Sequence, residues 1–333
     1  MAMMYIRVDA NSEIGMGHMM RCISIAEALK EEGAEVKFLV AGNDAVDILT
    51  QRGMEYIVLN TDFRDMESEE AVLKTILDKN EKILIDSYQV TDKYLKFLKQ
   101  FGQVFYMDDV HSFEYPVDCV INGNIYGGKM IYSAPSSLTG CKYAPLRKEF
   151  RHTKRTEDAS RILITTGGSD PFFITEKIVE NILADDVLKS QQYDIVCGKF
   201  SKSYDKLCLI AKEHTNFRIH KDVKEMWKLM ENALLAVTAG GTTMTELSCV
   251  GVPIVGFSFV DNQKLVTQTF FEEGYAHYGA DYETLGDSMF PGICKAMKEL
   301  IEDEHLRKEY SEKLMLLVDG KGCQRIASCL MHM

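Results

Sequence analysis

The chain has 333 residues, 46% of them apolar and 26% charged, which is long for one hydrophobic core and comfortable for two. A formal charge of −12 argues against a protein that tracks a nucleic-acid backbone, since Lys and Arg must displace counterions there, but leaves a local anion site open. Nine scattered cysteines without a CxxC pair exclude a disulfide framework and fit a reduced cytosol. 

Strands are predicted in the first half at Tyr5–Asp9, Val36–Val40, Tyr56–Leu59, Ile83–Asp86, Val104–Met107 and Cys119–Ile121, with helices at His18–Glu32, Glu69–Lys79 and Asp92–Gln100. In the first helix Met19, Ile23, Ala26 and Leu29 recur every three or four positions, and Gly33 follows as a stop. Alternation of this kind predicts an α/β fold with a parallel sheet covered on both faces. Met1–Met20 has no basic leader and is interrupted by Asp9, Asn11 and Glu13, so no signal peptide is expected. The longest apolar stretch, near Val250–Val260, is far short of the ~18 residues of a membrane span. A cytoplasmic location is expected, without membrane insertion.

The segment Asn11-Ser-Glu-Ile-Gly-Met-Gly-His18 joins the first strand to the first helix. Gly15 and Gly17 allow a tight turn and close backbone approach to a ligand, and such loops sit at the carboxyl ends of the strands, where ligands bind. Met20 stands where a dinucleotide fingerprint needs its third glycine, and there is no Walker pattern. The positive end of a helix disfavours an imidazolium at His18, so a neutral ring able to take a proton from water is expected; the alternative is a simple helix cap. Asp9 could orient that ring. Arg21, one turn along on the same face, could pair with an acid. Tyr88 could present its phenol to a sugar or merely start a loop. Asp108, Asp109 and His111 resemble a metal cluster, but acids commonly end strands and no second ligand group is evident, so no metal is assigned.

Residues 144–160 are polar and charged and read as a linker between domains 1–150 and 151–319. Strands then restart at Arg161–Thr166, Asp194–Cys197, Phe217–His220, Leu234–Val237 and Ile254–Phe257. Helices are predicted at Phe172–Leu183, Lys202–Glu213, Val223–Glu231, Thr243–Val250 and Asn262–Glu272, and from Leu285 onward only helices. In Thr165-Thr-Gly-Gly-Ser-Asp170, Asp170 before Pro171 looks like an N-cap with proline at the first helical position, leaving Gly167, Gly168 and Ser169 for a ligand. In Thr238-Ala-Gly-Gly-Thr-Thr-Met-Thr-Glu246, Gly240 and Gly241 expose amides at a helix start, and Thr242 and Thr243 add hydroxyls, which suits a diphosphate. Glu246 either closes a capping box with Thr243 or takes hydrogen bonds from a ribose. Asn262 and Gln263, after Asp261, either reach a substrate or cap the next helix. Trp227 sits in a helical pattern and reads as packing.

These pieces together resemble the GT-B glycosyltransferase architecture. Within it they are similar to the UDP-2,4-diacetamido-2,4,6-trideoxy-β-L-altropyranose hydrolases of pseudaminic acid biosynthesis and to relatives in spore-coat polysaccharide synthesis. The matching pieces are Arg7–Cys22, Ile85–Tyr88, Thr165–Pro171, Thr238–Leu247, Gly251–Val255 and Asp261–Gln263; the stretch Val196–Phe200 differs from the small polar loop of that family. The resemblance implies two Rossmann-like parallel-sheet domains facing a central cleft, with a last helix near Gln324–Leu330, in 320–333, packing back onto the first domain. It implies a hydrolase that needs no metal and no cofactor and releases UDP and free sugar by C–O cleavage at the anomeric carbon. His18 takes the position of the general base. Asp9, Gly15, Gly17, Arg21, Tyr88, Asn262 and Gln263 stand around the sugar. Gly168, Ser169, Gly240, Gly241, Thr242 and Thr243 take the phosphates, Glu246 the ribose and Val223 the uracil. UDP is then a leaving group stabilised by the helix end, and attack by water from the opposite face predicts inversion. The partner expected is a UDP-sugar. The alternatives are a glycosyltransferase with the same UDP site and a UDP-sugar-binding protein without turnover.

Overall fold

The computed structural model describes residues 3–11, 13–199 and 201–333. Ser12 of the first motif and Phe200, the end of the divergent Val196–Phe200 stretch, lie outside the described residues. The chain forms two compact units. One runs to Lys148 and includes Gly320–Met333; the other is Glu149–Asp319.

Among the described residues, the first unit has strands β1 (Met4–Val8), β2 (Val36–Val40), β3 (Glu55–Val58), β4 (Glu81–Asp86), β5 (Gly102–Met107), β6 (Cys119–Asn122) and β7 (Ser136–Thr139). They form one sheet in the order β3-β2-β1-β4-β5-β6-β7, with every pair parallel. Its helices are α1 (Gly17–Glu31), α2 (Val46–Gln51), α3 (Glu70–Ile76) and α4 (Asp92–Leu98). Alternate positions of β1 serve two cores, as the strand period dictates. Ile6 and Val8 pack with Ile23 and Ala26 of α1, whereas Tyr5 joins Tyr94 and Leu95 of α4 on the other face. Arg7 lies on that second face and is wholly buried, held by Glu69 and Asp9, while the Tyr94 hydroxyl donates to Glu69 at 2.8 Å.

The second unit has strands β8 (Arg161–Thr165), β9 (Gln192–Cys197), β10 (Phe217–Lys221), β11 (Ala233–Ala239), β12 (Ile254–Ser258) and β13 (Tyr278–Asp281). Their order is β10-β9-β8-β11-β12-β13, again parallel throughout. Its helices are α5 (Ile174–Leu183), α6 (Tyr204–Glu213), α7 (Met226–Glu231), α8 (Thr242–Val250), α9 (Asp261–Glu272), α10 (Tyr282–Leu285), α11 (Met289–Glu302) and α12 (Glu304–Leu317); α13 (Gly322–His332) belongs to the first unit. In both sheets the direction of strand addition reverses, between β1 and β4 in one and between β8 and β11 in the other. Ligands of open parallel sheets bind beside such reversals, off the carboxyl ends of the strands. No helix among the described residues is long and apolar enough to cross a membrane.

The structure departs from the sequence expectation in four elements. Strands β7 and β13 and helices α2 and α10 are not predicted, because SSLT and YGAD carry no apolar run and VDILTQ and YETL are too short to show a helical period. The 144–160 stretch is also more anchored than its composition suggests. Leu146, Phe150 and Thr153 are buried, and the amides of Arg155 and Thr156 donate to Val250 and Glu231 at 3.0 and 2.8 Å. Phe150 stands edge-on to Trp227 with ring centres 6.3 Å apart, so the tryptophan does pack.

Helix α13 lies against α1 and buries Ile326, Ala327 and Leu330 in the same core. Lys82 at the head of β4 donates to the carbonyls of Leu330 and Met331 at 2.6 and 2.8 Å, a cation at the helix C-terminus where the helix dipole favours one. The start of α13 is tighter still: a Cβ on Gly322 would stand 2.0 Å from the Ala144 carbonyl oxygen. Gly322→Ala is therefore expected to destabilise the first unit by about 1–3 kcal/mol, the range for overpacking a closed core. Urea unfolding followed by circular dichroism checks this; an unchanged midpoint would show that α13 is not held there.

Candidate functional site

The site begins at the strand reversal in the first unit. The loop after β1 is ordered by its own asparagine: Asn11 Oδ1 accepts from the amides of Glu13 and Ile14, both at 2.9 Å. Gly15, whose amide donates to the Asn11 carbonyl at 2.9 Å, has φ 77°, a left-handed conformation that favours glycine. Helix α1 starts at Gly17, so His18 sits in its first turn with its side chain 13% exposed.

The residue that meets His18 is Asp86, at the end of β4. His18 Nδ1 lies 2.5 Å from Asp86 Oδ1. The same carboxylate accepts from Arg21 Nε and Nη2, each at 2.6 Å, and from the Cys22 thiol at 3.4 Å. Burial alone raises the pKa of Asp86, but Arg21 and His18 outweigh it and hold the carboxyl well below its usual range. Arg21 reaches further, donating to Asp109 at 3.0 Å. Asp109 also accepts from the Tyr88 hydroxyl and Asn124 Nδ2, both at 2.9 Å. Burial raises Asp109 too, yet Arg21 wins and keeps it below its ordinary value. Tyr88 is half exposed and stands edge-on to His18, with ring centres 4.7 Å apart. Burial, then the Asp109 charge, push its phenol upward, so it stays protonated and donates.

This arrangement corrects one assignment. Asp9 does not orient His18: its Oδ2 takes Arg7 and its Oδ1 takes the Ala41 amide at 2.7 Å. The field at the ring is also not that of the helix end alone, because a carboxylate and a guanidinium touch it. Gly15 and Gly17 leave open space, since a Cβ on either would meet nothing within 4 Å. Asp108 is taken up by its loop, accepting from the His111 amide at 2.9 Å and the Tyr115 and Tyr132 hydroxyls at 2.8 and 2.6 Å. Among the described residues, no group of three or more His, Cys, Asp and Glu side chains is placed to hold a metal.

The second unit brings its motifs together at its own reversal. β8 and β11 are neighbours, so the loops that follow them emerge side by side. Gly167, Gly168 and Ser169 are exposed there. Asp170 is buried and does cap a helix, but not with Pro171 inside it. Its oxygens accept from Ile174 and Thr175 at 2.7 and 2.9 Å, and Phe173, at φ 55°, precedes the first residue of α5. After β11, Gly241 has φ 138° and α8 begins at Thr242. The Thr242 and Thr243 amides have no intrahelical acceptor, whereas that of Met244 donates to the Gly241 carbonyl at 3.0 Å, and Thr242 is exposed. Two expectations change here. Gly240 does not offer its amide to a ligand, because it donates to Phe257 at 2.8 Å; a Cβ on Gly240 would meet Thr267 Oγ1 at 2.3 Å, so this glycine admits α9. Thr243 is not an N-cap, so no capping box with Glu246 forms; Gly241 precedes the helix and no side chain caps it. Asn262 and Gln263 lie in the first turn of α9, where Gln263 Oε1 accepts from the Phe259 amide at 3.1 Å and Asn262 is exposed. Val223 is partly buried in the loop between β10 and α7.

Asp86 and Asn124 are the residues of this cluster that sequence reasoning does not single out, and Asp109 enters it only as part of a discounted metal cluster. The signal available was that Ile83–Asp86 ends in an acid and Val104–Met107 is followed by two, at the carboxyl edge of neighbouring strands.

The fold is GT-B, with two parallel sheets of seven and six strands among the described residues. A solved structure of that shape is Medicago truncatula UGT71G1 complexed with UDP-glucose, at TM-score 0.70 and 12% identity, covering 99% of this chain and 98% of that one. The chain matches no protein-family profile. It is similar to the spore coat polysaccharide biosynthesis protein SpsG of Bacillus subtilis, 26% identical over 98% of this chain and 96% of that protein. It is also similar to the UDP-2,4-diacetamido-2,4,6-trideoxy-β-L-altropyranose hydrolase of Campylobacter jejuni, 23% identical over 81% of this chain and 96% of that enzyme.

The lowered pKa of Asp86 makes it a source of stability with a defined pH window. Its charge stabilises the fold fully above the unfolded value of about 3.9, and that contribution is lost as pH falls toward the depressed folded value. Asp86→Asn is expected to lower stability by about 3 kcal/mol from pH 5 to 8, as for a broken buried pair, with the gap to the unsubstituted protein narrowing only below about pH 4. Urea midpoints of both proteins at pH 7 and pH 3 check this; a gap equally wide at both would remove the ionic account.

Proposed function

We propose that this protein is a hydrolase of a UDP-linked diacetamido-trideoxy sugar, releasing UDP and the free sugar. The observation that carries the reading is the His18–Asp86 contact. Asp86 takes the Nδ1 side of the ring, which leaves Nε2 as the free nitrogen. With Nδ1–H donated to the carboxylate, Nε2 carries the lone pair and can accept a proton from water.

The step balances without a metal. Water's oxygen forms the new bond to the anomeric carbon while its proton passes to Nε2. The bond from that carbon to the diphosphate oxygen breaks, and the electron pair leaves with UDP. The charge that grows on the leaving oxygens is met by the first turn of α8, where the Thr242 and Thr243 amides and hydroxyls act as preorganised donors. Attack on the face opposite the diphosphate inverts the anomeric centre. Glu246 takes the ribose hydroxyls, Val223 borders the uracil, Gly168 and Ser169 close on the phosphates, and Tyr88 and Asn262 meet the sugar. Two similarities support this choice of reaction and substrate: the Campylobacter jejuni protein is named as a hydrolase of such a sugar, and the spore-coat protein is similar over nearly the full chain.

His18→Ala is expected to slow UDP release by ~10²–10⁴, the contribution of a general base, while UDP binding stays within a few-fold. The measurement is phosphorus and proton NMR on purified protein with UDP-linked deoxyamino-sugars and no acceptor. If UDP appears only once an acceptor alcohol is added, the protein is a transferase; if it never appears, a binding protein; either result ends the hydrolase reading.

A further inference from the structure

Asp109, in the loop after β5, gathers donors from three segments of the first unit. Its Oδ1 accepts from Arg21 Nη1 at 3.0 Å and from Asn124 Nδ2 at 2.9 Å. Its Oδ2 accepts from the Tyr88 hydroxyl at 2.9 Å and meets Arg21 Nη2 at 2.8 Å. The Tyr126 hydroxyl donates to the Asp109 carbonyl at 2.9 Å, which fixes the backbone beneath. All four side-chain contacts require an acceptor, and an ionised carboxylate is acceptor-only. Burial opposes that charge, but Arg21 outweighs it.

The consequence falls on Tyr88. A phenol has one proton to donate and lone pairs with which to accept. Asp109 takes the proton, and the Tyr88 hydroxyl makes no other hydrogen bond among the described residues. Its lone pairs are therefore what it offers, from a half-exposed ring set edge-on to His18 with centres 4.7 Å apart. We propose that Asp109 is a positioning residue: it turns the Tyr88 hydroxyl into an acceptor, so that a ligand before His18 must meet it with an O–H or N–H group. The role rests on the hydrolase reading for its kinetic consequence, but not for the direction of the bond.

Asp109→Asn reverses that direction, because an amide carries donors on one side. With NH₂ in the Oδ1 place, Asn124 would have to turn its own amide and give up its bond to Asn122 Oδ1 at 3.1 Å. With NH₂ in the Oδ2 place, the Tyr88 hydroxyl need only rotate and accept. Either way one Arg21 nitrogen loses an acceptor, so the second arrangement prevails and the phenol's proton swings toward the ligand.

Raman spectroscopy of the full chain reads this without a ligand, since the tyrosine Fermi doublet separates a phenol that donates from one that accepts. Subtracting the spectrum of Tyr88→Phe isolates Tyr88 in the unsubstituted protein, and the same subtraction in the Asp109→Asn background isolates it there. A donor signature is expected in the first and an acceptor signature in the second. In UDP release from the UDP-linked diacetamido-trideoxy sugar, Tyr88→Phe should lower kcat/KM roughly three- to tenfold, the worth of one hydrogen bond. Added to Asp109→Asn, it should lower kcat/KM no further. A Tyr88 that does not donate in the unsubstituted protein, a doublet unmoved by Asp109→Asn, or losses that simply multiply would each overturn the assignment. The first of these is read whether or not Asp109→Asn folds. If no UDP is released, the hydrolase reading falls, and the same cycle is read on the dissociation constant for that UDP-sugar.

Discussion

A single buried carboxylate organises the first unit's site. Asp86 has no exposed surface on its side chain, yet it holds its charge because Arg21 contacts it through two nitrogens and His18 through one. Burying a lone carboxylate costs several kcal/mol, and the cost is offset only when the remaining lone pairs are satisfied. Arg21 supplies most of that satisfaction, and Asp109 in turn fixes Arg21. The imidazole is thus held in one orientation by groups that cannot themselves move without uncovering a charge. The glycine loop before α1 contributes differently, by leaving the space in front of the ring open.

Topology explains why the sequence motifs fall where they do. The loop after β1 and the Ile85–Tyr88 turn after β4 flank one strand reversal, and the Thr165–Asp170 and Thr238–Glu246 segments flank the other. At a reversal the two connecting segments leave to opposite faces, so a groove opens between them. The halves need no shared sequence to arrive at this layout, and each has placed different chemistry in its groove: titratable side chains in the first unit, glycine amides and threonine hydroxyls in the second.

Much of this was legible in the sequence because helix and strand periods are local. Val36–Val40 is a strand with the bounds its β-branched run suggests, and α1 follows the recurrence of Met19, Ile23 and Ala26. What was not legible is non-local. Asp86 and Asp109 lie 65 and 88 positions from Arg21, and nothing near either acid in the chain reports what it faces. Asp9, nearer in sequence to His18, was the obvious partner; strand alternation instead turns it to the face of Arg7, with which it pairs. Gly240 illustrates the same limit. A glycine pair before a helix looks like a phosphate turn, but the approach of α9 gives the first of the two a packing reason that only the fold reveals. The strands β7 and β13 are polar and short because, at the sheet edges, they have only one neighbour to match.

The two loop clusters differ in charge. Around His18 stand two carboxylates and one guanidinium, a formal charge of −1. Such a field disfavours an anion lodged beside it. The turn from Gly241 to Thr243 contains no acid, and the dipole of α8 presents its positive end there. A bound anion and a group that accumulates positive charge make opposite electrostatic demands, and one loop that served both would weaken each. The acids here stand in the loops of one sheet, and the acid-free helix start stands in the loops of the other.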